Sequence, residues 1–337
     1  MPKLEITTLI GCPLDCTFCP QSNLNSAWKN NEGGSRLLDF KTFKNAVDKL
    51  PSNVDIVFSG YSEPFANPKM PEFLEYAAKL PNRIYLYTTL QGLNPNYRNN
   101  LKKLIKEKRI IRTVVHLPDD HENMPGWKLN KTNIENIGVI ASLKEVNTMT
   151  MSETNLVNKK LLQSLWDNGF KKLSFKLRLK RYLDANRFVG WTRAGNLSKE
   201  DFAEGELLDE KAWSEPISCK QTPFYDENVL LPNGDVTICC MDYSLKHVIG
   251  NLNNDSYSDI RSSKELANIA SINSGLKEGN TLCQSCDNVT CHHYDINTQQ
   301  YISYSPGHLE NLIPNFFSQS TKRKLVTKIR NIRSIFS

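Results

Sequence analysis

The chain of 337 residues lacks any apolar run near the roughly 18 residues that a membrane-spanning helix requires, and Met1 to Leu9 holds no apolar core of signal-peptide length. Both absences point to a cytoplasmic protein. Cysteine is missing from the two hundred residues between Cys19 and Cys219, although the chain has nine. A reducing compartment disfavours disulfides, so thiols gathered at two ends of a sequence read as two ligand sites. There is no G-x-x-x-x-G-K-[ST] loop for a nucleotide phosphate and no H-E-x-x-H for catalytic zinc. The stretch 320–337 contains six basic residues and no acid; subtracting them from 42 leaves 36 Lys and Arg against 36 Asp and Glu. The body is therefore neutral, and nothing in it suggests a nucleic-acid footprint across the folded domain.

What is present is an ordinary globular composition, 39% hydrophobic and 23% charged. Strand-like and helix-like segments alternate through the first two hundred residues, the pattern of βα units around a parallel sheet. Strands are expected over 3–9, 54–58, 84–88, 113–117, 148–151 and 173–177, and helices over 40–50, 71–80, 97–108, 132–143 and 159–168. Asp39 suits a helix cap, Pro71 a first helical position and Gly169 a stop.

Cys12, Cys16 and Cys19 follow the first strand at C-x3-C-x2-C spacing. Soft thiolates on one tight loop suit three irons of a 4Fe-4S cluster, leaving the fourth iron open; a zinc loop is the other reading, but structural zinc closes with four ligands. No further Cys or His lies nearby. Toward the other end come Cys219, Cys239, Cys240, Cys283, Cys286 and Cys291. Asn233-Gly234 between two β-rich runs signals a hairpin that would return Cys239 toward Cys219. A zinc ribbon remains an alternative for this second set.

The N-terminal trio, with Phe18 before the third cysteine and a strand leading in, resembles the radical S-adenosylmethionine (radical SAM) enzymes. In that family the open iron chelates SAM, and an electron from the cluster cleaves it to a 5′-deoxyadenosyl radical. The resemblance implies a partial (β/α)6 TIM-like barrel over 1–200, whose chemistry sits at the C-terminal ends of the strands. Ser59-Gly60-Tyr61-Ser62-Glu63-Pro64 is similar to the family's Gly-Gly-Glu-Pro motif, with Gly60, Ser62 and Glu63 at SAM. Thr88 stands where relatives place a SAM-facing threonine, although Leu90 and Gln91 depart from their pattern. Arg193, in an Arg-Ala-Gly-Asn stretch, would meet a carboxylate of SAM or substrate, and His116 would point into the barrel mouth as a proton acceptor or substrate contact. Spacing alone gives no role to Asp119, Asp120, His121 or Glu122.

The second cysteine set resembles the SPASM/twitch extension, a β-hairpin and helix over 201–300 that carries auxiliary 4Fe-4S clusters. The full pattern is shortened here. One auxiliary cluster on Cys219, Cys239, Cys283 and Cys286 is expected, with Cys240 and Cys291 as spare thiols or reserve ligands and His292 or His293 as ligands only to a second, incomplete cluster. A regular hairpin would turn Cys240 away from Cys239. The implied activity is hydrogen abstraction from a small molecule, sugar or glycan precursor, ending in oxidation with the auxiliary cluster taking the electron. The start of the chain so close to Cys12 argues for such a substrate over a peptide, which is the alternative, as is a non-catalytic metal scaffold. A flavodoxin or ferredoxin would supply electrons. In 301–337, Leu325, Ile329, Ile332 and Phe336 recur at helical spacing among basic residues, a helix fit for an anionic membrane surface, for a protein partner, or for packing back on the barrel.

Overall fold

Strand β1 (Lys3–Ile6) divides the molecule: Leu4 and Ile6 enter the main apolar core, whereas Lys3 and Glu5 alternate to the other face and line an internal cavity. The structure, a computed structural model, describes residues 1–150, 156–183, 189–190, 192–198, 206–207, 213, 216–295 and 300–304. The basic segment 320–337 lies outside them, as does Met151. No helix among the described residues is long and apolar enough to cross a membrane.

After the cysteine loop comes α1 (Gln21–Asn30), then α2 (Phe40–Asp48), β2 (Asp55–Phe58), α3 (Met70–Ala77), β3 (Ile84–Thr88), α4 (Arg98–Lys106), β4 (Arg112–Leu117), α5 (Lys131–Ile140) and β5 (Val146–Thr150). Strands β1 to β5 pair in parallel in chain order, with Lys3 opposite Asp55, Ile56 opposite Ile84, Tyr85 opposite Arg112 and Thr113 opposite Val146. Parallel neighbours need crossovers, and the helices supply them. Each helix buries a stripe at helical spacing, such as Phe43, Ala46 and Val47 in α2 or Ile134, Ile137 and Ile140 in α5. Each of the large side chains among them contributes about 1.5–3 kcal/mol on leaving water. Asp39 caps α2 by accepting from the Thr42 amide at 2.7 Å, as the sequence predicts. This is the α/β partial barrel that the resemblance implies.

The expected sixth strand is not one. Helix α6 (Lys159–Asp167) is followed by α7 (Lys171–Leu183), which covers residues 173–177. Leu173, Phe175, Leu177 and Leu179 alternate as in a strand, but the same residues contain an i, i+4 pair. Leu173 and Leu177 are buried on one helix face, while Phe175 is 63% and Leu179 48% exposed. The Ser174 hydroxyl donates to the Leu162 carbonyl at 2.7 Å and fixes α7 against α6.

Short strands β6 (Val189–Gly190) and β7 (Glu206–Leu207) pair with each other. Then β8 (Ile217–Cys219), β9 (Glu227–Leu230), β10 (Asp235–Thr237) and β11 (Val248–Asn251) build the C-terminal region. The predicted hairpin joins β9 to β10, with Gly234 at φ +90° donating back to Leu231 at 3.0 Å. Strand β9 also pairs in parallel with β1, Lys3 opposite Glu227, so among the described residues one eight-stranded sheet runs β11-β10-β9-β1-β2-β3-β4-β5. The expected helix after β11 is two: Ser256 caps α8 (Tyr257–Arg261), and Ser263 breaks the chain to cap α9 (Lys264–Asn273). Strands β12 (Val289–Asp295) and β13 (Gln300–Tyr304) form a second sheet with β8.

Candidate active site and its two thiol sets

The loop after β1 is shaped by backbone constraints. Gly11 and Asp15 take left-handed conformations, φ +88° and +48°, and the Cys19 amide donates to the Cys16 carbonyl at 3.0 Å. Gly126 lies so close that a Cβ there would stand 2.0 Å from the Pro13 carbonyl oxygen. Leu14, Cys16, Phe18, Met124 and Leu197 form a small apolar cluster, with Cys12 and Cys19 packed against it. Donors reach the sulfurs: the Leu14 and Glu63 amides to Cys12, the latter at 3.3 Å, the Gln21 side-chain amide to Cys19 at 3.3 Å, and Tyr243, whose hydroxyl lies 3.2 Å from the Cys19 sulfur. Burial pushes the Cys12 thiol up to about 12 and Cys16 well above the usual range, and each neighbouring sulfur opposes charge on the next. As thiolates the three need a cationic centre among them; soft donors supported by N–H groups fit an iron–sulfur cluster.

Beside the loop is a cavity of about 640 Å³, walled by the three cysteines, by Gly60, Ser62 and Glu63, and by Arg193. Gly60 holds φ +58°, and a Cβ there would lie 2.4 Å from the Thr7 hydroxyl, so the β2 end presses directly on the β1 end. Ser62 accepts from the Leu9 amide at 3.4 Å. Glu63 is engaged by its own chain: its carboxylate accepts from the Phe65 amide at 3.1 Å, the Thr88 hydroxyl at 2.5 Å, and the Thr89 amide and hydroxyl at 2.6 and 2.7 Å. Burial nevertheless holds its pKa above the ordinary carboxylate value. Thr88 thus spends its hydroxyl on Glu63.

Arg193 sits in a run of three left-handed residues, φ +50° at Arg193, +57° at Ala194 and +77° at Gly195. Such strain gathers at functional sites. Its Nε donates to the Phe18 carbonyl at 3.4 Å, and Asp287, next to Cys286, accepts from the Thr192 hydroxyl at 2.8 Å and from the Thr192 and Arg193 amides. Deeper in the barrel, His116 lies edge-on to Tyr87, ring centroids 6.1 Å apart, and burial lowers it to about 4, so it is neutral at pH 7. Glu5 uses one carboxylate oxygen on the Ser59 hydroxyl and the Gly60 amide, at 2.8 and 3.2 Å.

The structure brings the second thiol set together. Cys219 at the end of β8, Cys239 beyond β10, and Cys283 and Cys286 around a 3-10 turn over Leu282–Ser285 line one cavity. Burial raises Cys239 well above its ordinary value, Cys283 to about 11 and Cys286 to about 12. The Thr222 and Asn288 amides point at the Cys219 and Cys286 sulfurs at 3.4 and 3.5 Å. His247 accepts from the Leu282 amide at 3.2 Å and pairs with Glu265 at 2.7 Å, locking the turn in place. Among the described residues no three Cys, His, Asp or Glu side chains close on one point as a single metal ion requires; the thiols ring cavities instead. The donor set fits a cluster here too.

Cys240 also lines this cavity, and it lines the barrel cavity as well. Cys291 is fully buried in the apolar cluster beside the second set without being among the cavity-lining residues, and His292 bonds to Ser218 at 2.7 Å. The side chain of His293 lies outside the described residues. Sequence reasoning missed Glu5, Gln21, Tyr61, Tyr243 and Asp287. Gln21, Tyr61 and Asp287 carried a signal, each lying within two residues of a candidate site residue.

Residues 6–120 match the radical SAM superfamily, and residues 219–287 match SPASM, an iron-sulfur cluster-binding domain. The fold is similar to the crystal structure of BtrN in complex with AdoMet and 2-DOIA, with a TM-score of 0.50 and 17% identity over 90% of this chain and 97% of that one. SuiB of Streptococcus suis bound to precursor peptide SuiA gives 0.46 and 15% over 84% and 69%. Among curated proteins, the probable dual-specificity RNA methyltransferase RlmN of Staphylococcus saprophyticus is 38% identical over 72 residues, 21% of this chain and 20% of that protein. The chain spans about a fifth of the length of the curated relatives it matches.

Proposed function

We propose, for a chain that belongs to the radical SAM superfamily and carries a C-terminal SPASM iron–sulfur domain, that it oxidises a small hydroxyl-bearing molecule, a sugar or glycan precursor, held in the barrel cavity. When bound, the N-terminal cluster supplies the electron that cleaves SAM reductively, and the auxiliary cluster offers an acceptor for an electron leaving the substrate. Cys12, Cys16 and Cys19 would hold the first cluster, and Cys219, Cys239, Cys283 and Cys286 the second. The observation that carries this reading is spatial: one cavity of about 640 Å³ is lined by the N-terminal thiols, by polar barrel residues, and by Cys240, which also lines the second thiol cavity.

The remaining roles belong to this chain's own groups. Arg193, charged and half-buried at the cysteine loop, suits a carboxylate by bidentate hydrogen bonding. Glu5, Tyr85, Tyr87 and Arg112 give the cavity donors and acceptors of both signs, which suits a substrate rich in hydroxyls. His116, neutral at pH 7, is placed to accept a proton at a ring nitrogen. A flavodoxin or ferredoxin is the proposed reductant. BtrN, crystallised with AdoMet and 2-DOIA, has a similar fold.

The test is anaerobic incubation of reconstituted protein with SAM, a strong reductant and a panel of sugars, cyclitols, nucleotide sugars and peptides. The expected result is 5′-deoxyadenosine release stimulated by one sugar-like compound, which loses two hydrogens by mass. No 5′-deoxyadenosine under strong reduction defeats the proposal, and stimulation confined to peptides defeats the substrate assignment.

A further inference from the structure

Tyr243 belongs to the C-terminal region, on the turn after Cys239 and Cys240, yet its hydroxyl reaches the N-terminal thiol set. Among the described residues its hydrogen-bonding contact is the Cys19 sulfur at 3.2 Å. The ring is buried and lies 4.7 Å, centroid to centroid, from the ring of Tyr61. Tyr61 serves the other set: its hydroxyl donates to the Cys239 or Asp242 carbonyl, at 2.8 and 3.1 Å, and lies 3.1 Å from the Thr237 hydroxyl. Asp242 fixes the turn by accepting from the Lys246 and His247 amides at 2.9 and 2.8 Å. The phenol is therefore aimed by a braced loop, at a sulfur that the first set presents.

We propose that Tyr243 is a positioning residue of the N-terminal cluster: it donates a hydrogen bond to the Cys19 thiolate and raises that cluster's readiness to be reduced, so that the C-terminal extension sets the redox poise of the site where SAM is cleaved. The inference rests on the proposed assignment of Cys12, Cys16 and Cys19 as cluster ligands. A metal-bound thiolate only accepts, so the phenol is the donor. Reduction adds negative charge to the sulfurs, and a donor on a sulfur stabilises the reduced form more than the oxidised one; hydrogen bonds to sulfur are among the levers that set these potentials.

The experiment is a redox titration followed by electron paramagnetic resonance on the full chain, reconstituted anaerobically. The N-terminal cluster is identified as the one whose spectrum changes when SAM is added. In Tyr243→Phe the ratio of reduced to oxidised cluster at the wild-type midpoint should fall about fivefold to tenfold, tenfold being about 59 mV for one electron. Site-specific 3-fluorotyrosine at position 243 keeps the shape with a stronger donor and should raise the ratio, which keeps the test open if the phenylalanine variant folds poorly. Tyr61→Phe should leave the ratio within twofold. A ratio unmoved by both changes at Tyr243, or moved equally by Tyr61→Phe, overturns this inference while leaving the proposed function standing. A wild-type protein with no SAM-responsive cluster overturns both.

Discussion

Replacing Glu63 by alanine separates a structural clamp from a SAM ligand. The carboxylate is 2% exposed and takes four hydrogen bonds, two from backbone amides that have no freedom to turn elsewhere. Each buried N–H left without an acceptor costs about 1–3 kcal/mol, and the hydroxyls of Thr88 and Thr89 lose a charged acceptor worth somewhat less. The sum is about 4 kcal/mol. With an unfolding entropy of about 2.1 cal/mol/K per residue, 337 residues give an entropy on the order of 0.7 kcal/mol/K, so the melting temperature should fall by about 6 °C. The assay is calorimetry on the metal-free protein, where SAM and clusters play no part. Glu63→Gln should show about half the loss, since an amide presents one acceptor and turns a donor toward donors. An unchanged melting temperature, together with weakened SAM binding in the loaded protein, would refute the clamp and restore Glu63 to direct SAM contact.

Two further outcomes follow from the site. Cys283→Ala should reduce iron from about eight to about four per chain while the SAM-responsive spectrum persists; loss of all iron would show that the two thiol sets do not load separately. His116, held near 4 by burial against about 6.5 in the unfolded chain, makes the unfolded state bind more protons between those values. Stability should therefore fall by about 3 kcal/mol as pH drops from 6.5 to 4, and the pH dependence of denaturant midpoints should flatten by that amount in His116→Asn.

The parts of this architecture most legible in the sequence are those fixed by local chemistry. Asp39 capping α2, the Asn-Gly turn between β9 and β10, and the cysteine spacing each depend on a few adjacent residues. The misread sixth strand shows where local signals fail: Leu173 to Leu179 satisfies a period of two and an i, i+4 pair together, and packing against α6 decides between them. Helix α1 escaped notice because its buried residues, Gln21, Leu24 and Trp28, include a polar one whose side chain serves the cysteine loop instead of the core. Glu63 was recognised, but three of its four hydrogen bonds come from Thr88 and Thr89 at the end of β3, which no motif near position 63 announces. Tyr61, Tyr243 and Asp287 are ordinary residues made special by contacts across about 50 to 220 positions of sequence, as the separations of their hydrogen bonds show.

The same long-range pairing explains how two thiol sites formed at opposite ends of the chain share one cavity wall. Strand β9 lies beside β1 in parallel register, the Lys3 amide donates to Asp226 at 2.8 Å, the Thr7 amide donates to Leu230 at 3.0 Å, and the Lys3 ammonium pairs with Glu227. Strand β1 delivers the first cysteine loop directly, and β9 delivers the second through its hairpin with β10. Their separation is therefore set by hydrogen-bonded strands, whose spacing is about 4.8 Å, and not by a linker. A linker would let the distance between the sites vary; a shared ladder holds it. Tyr61 from the end of β2 and Tyr243 from beyond β10 fill the wedge that opens between the two loops. The gap between the barrel cavity and the second thiol site is thus one that the sheet itself has fixed.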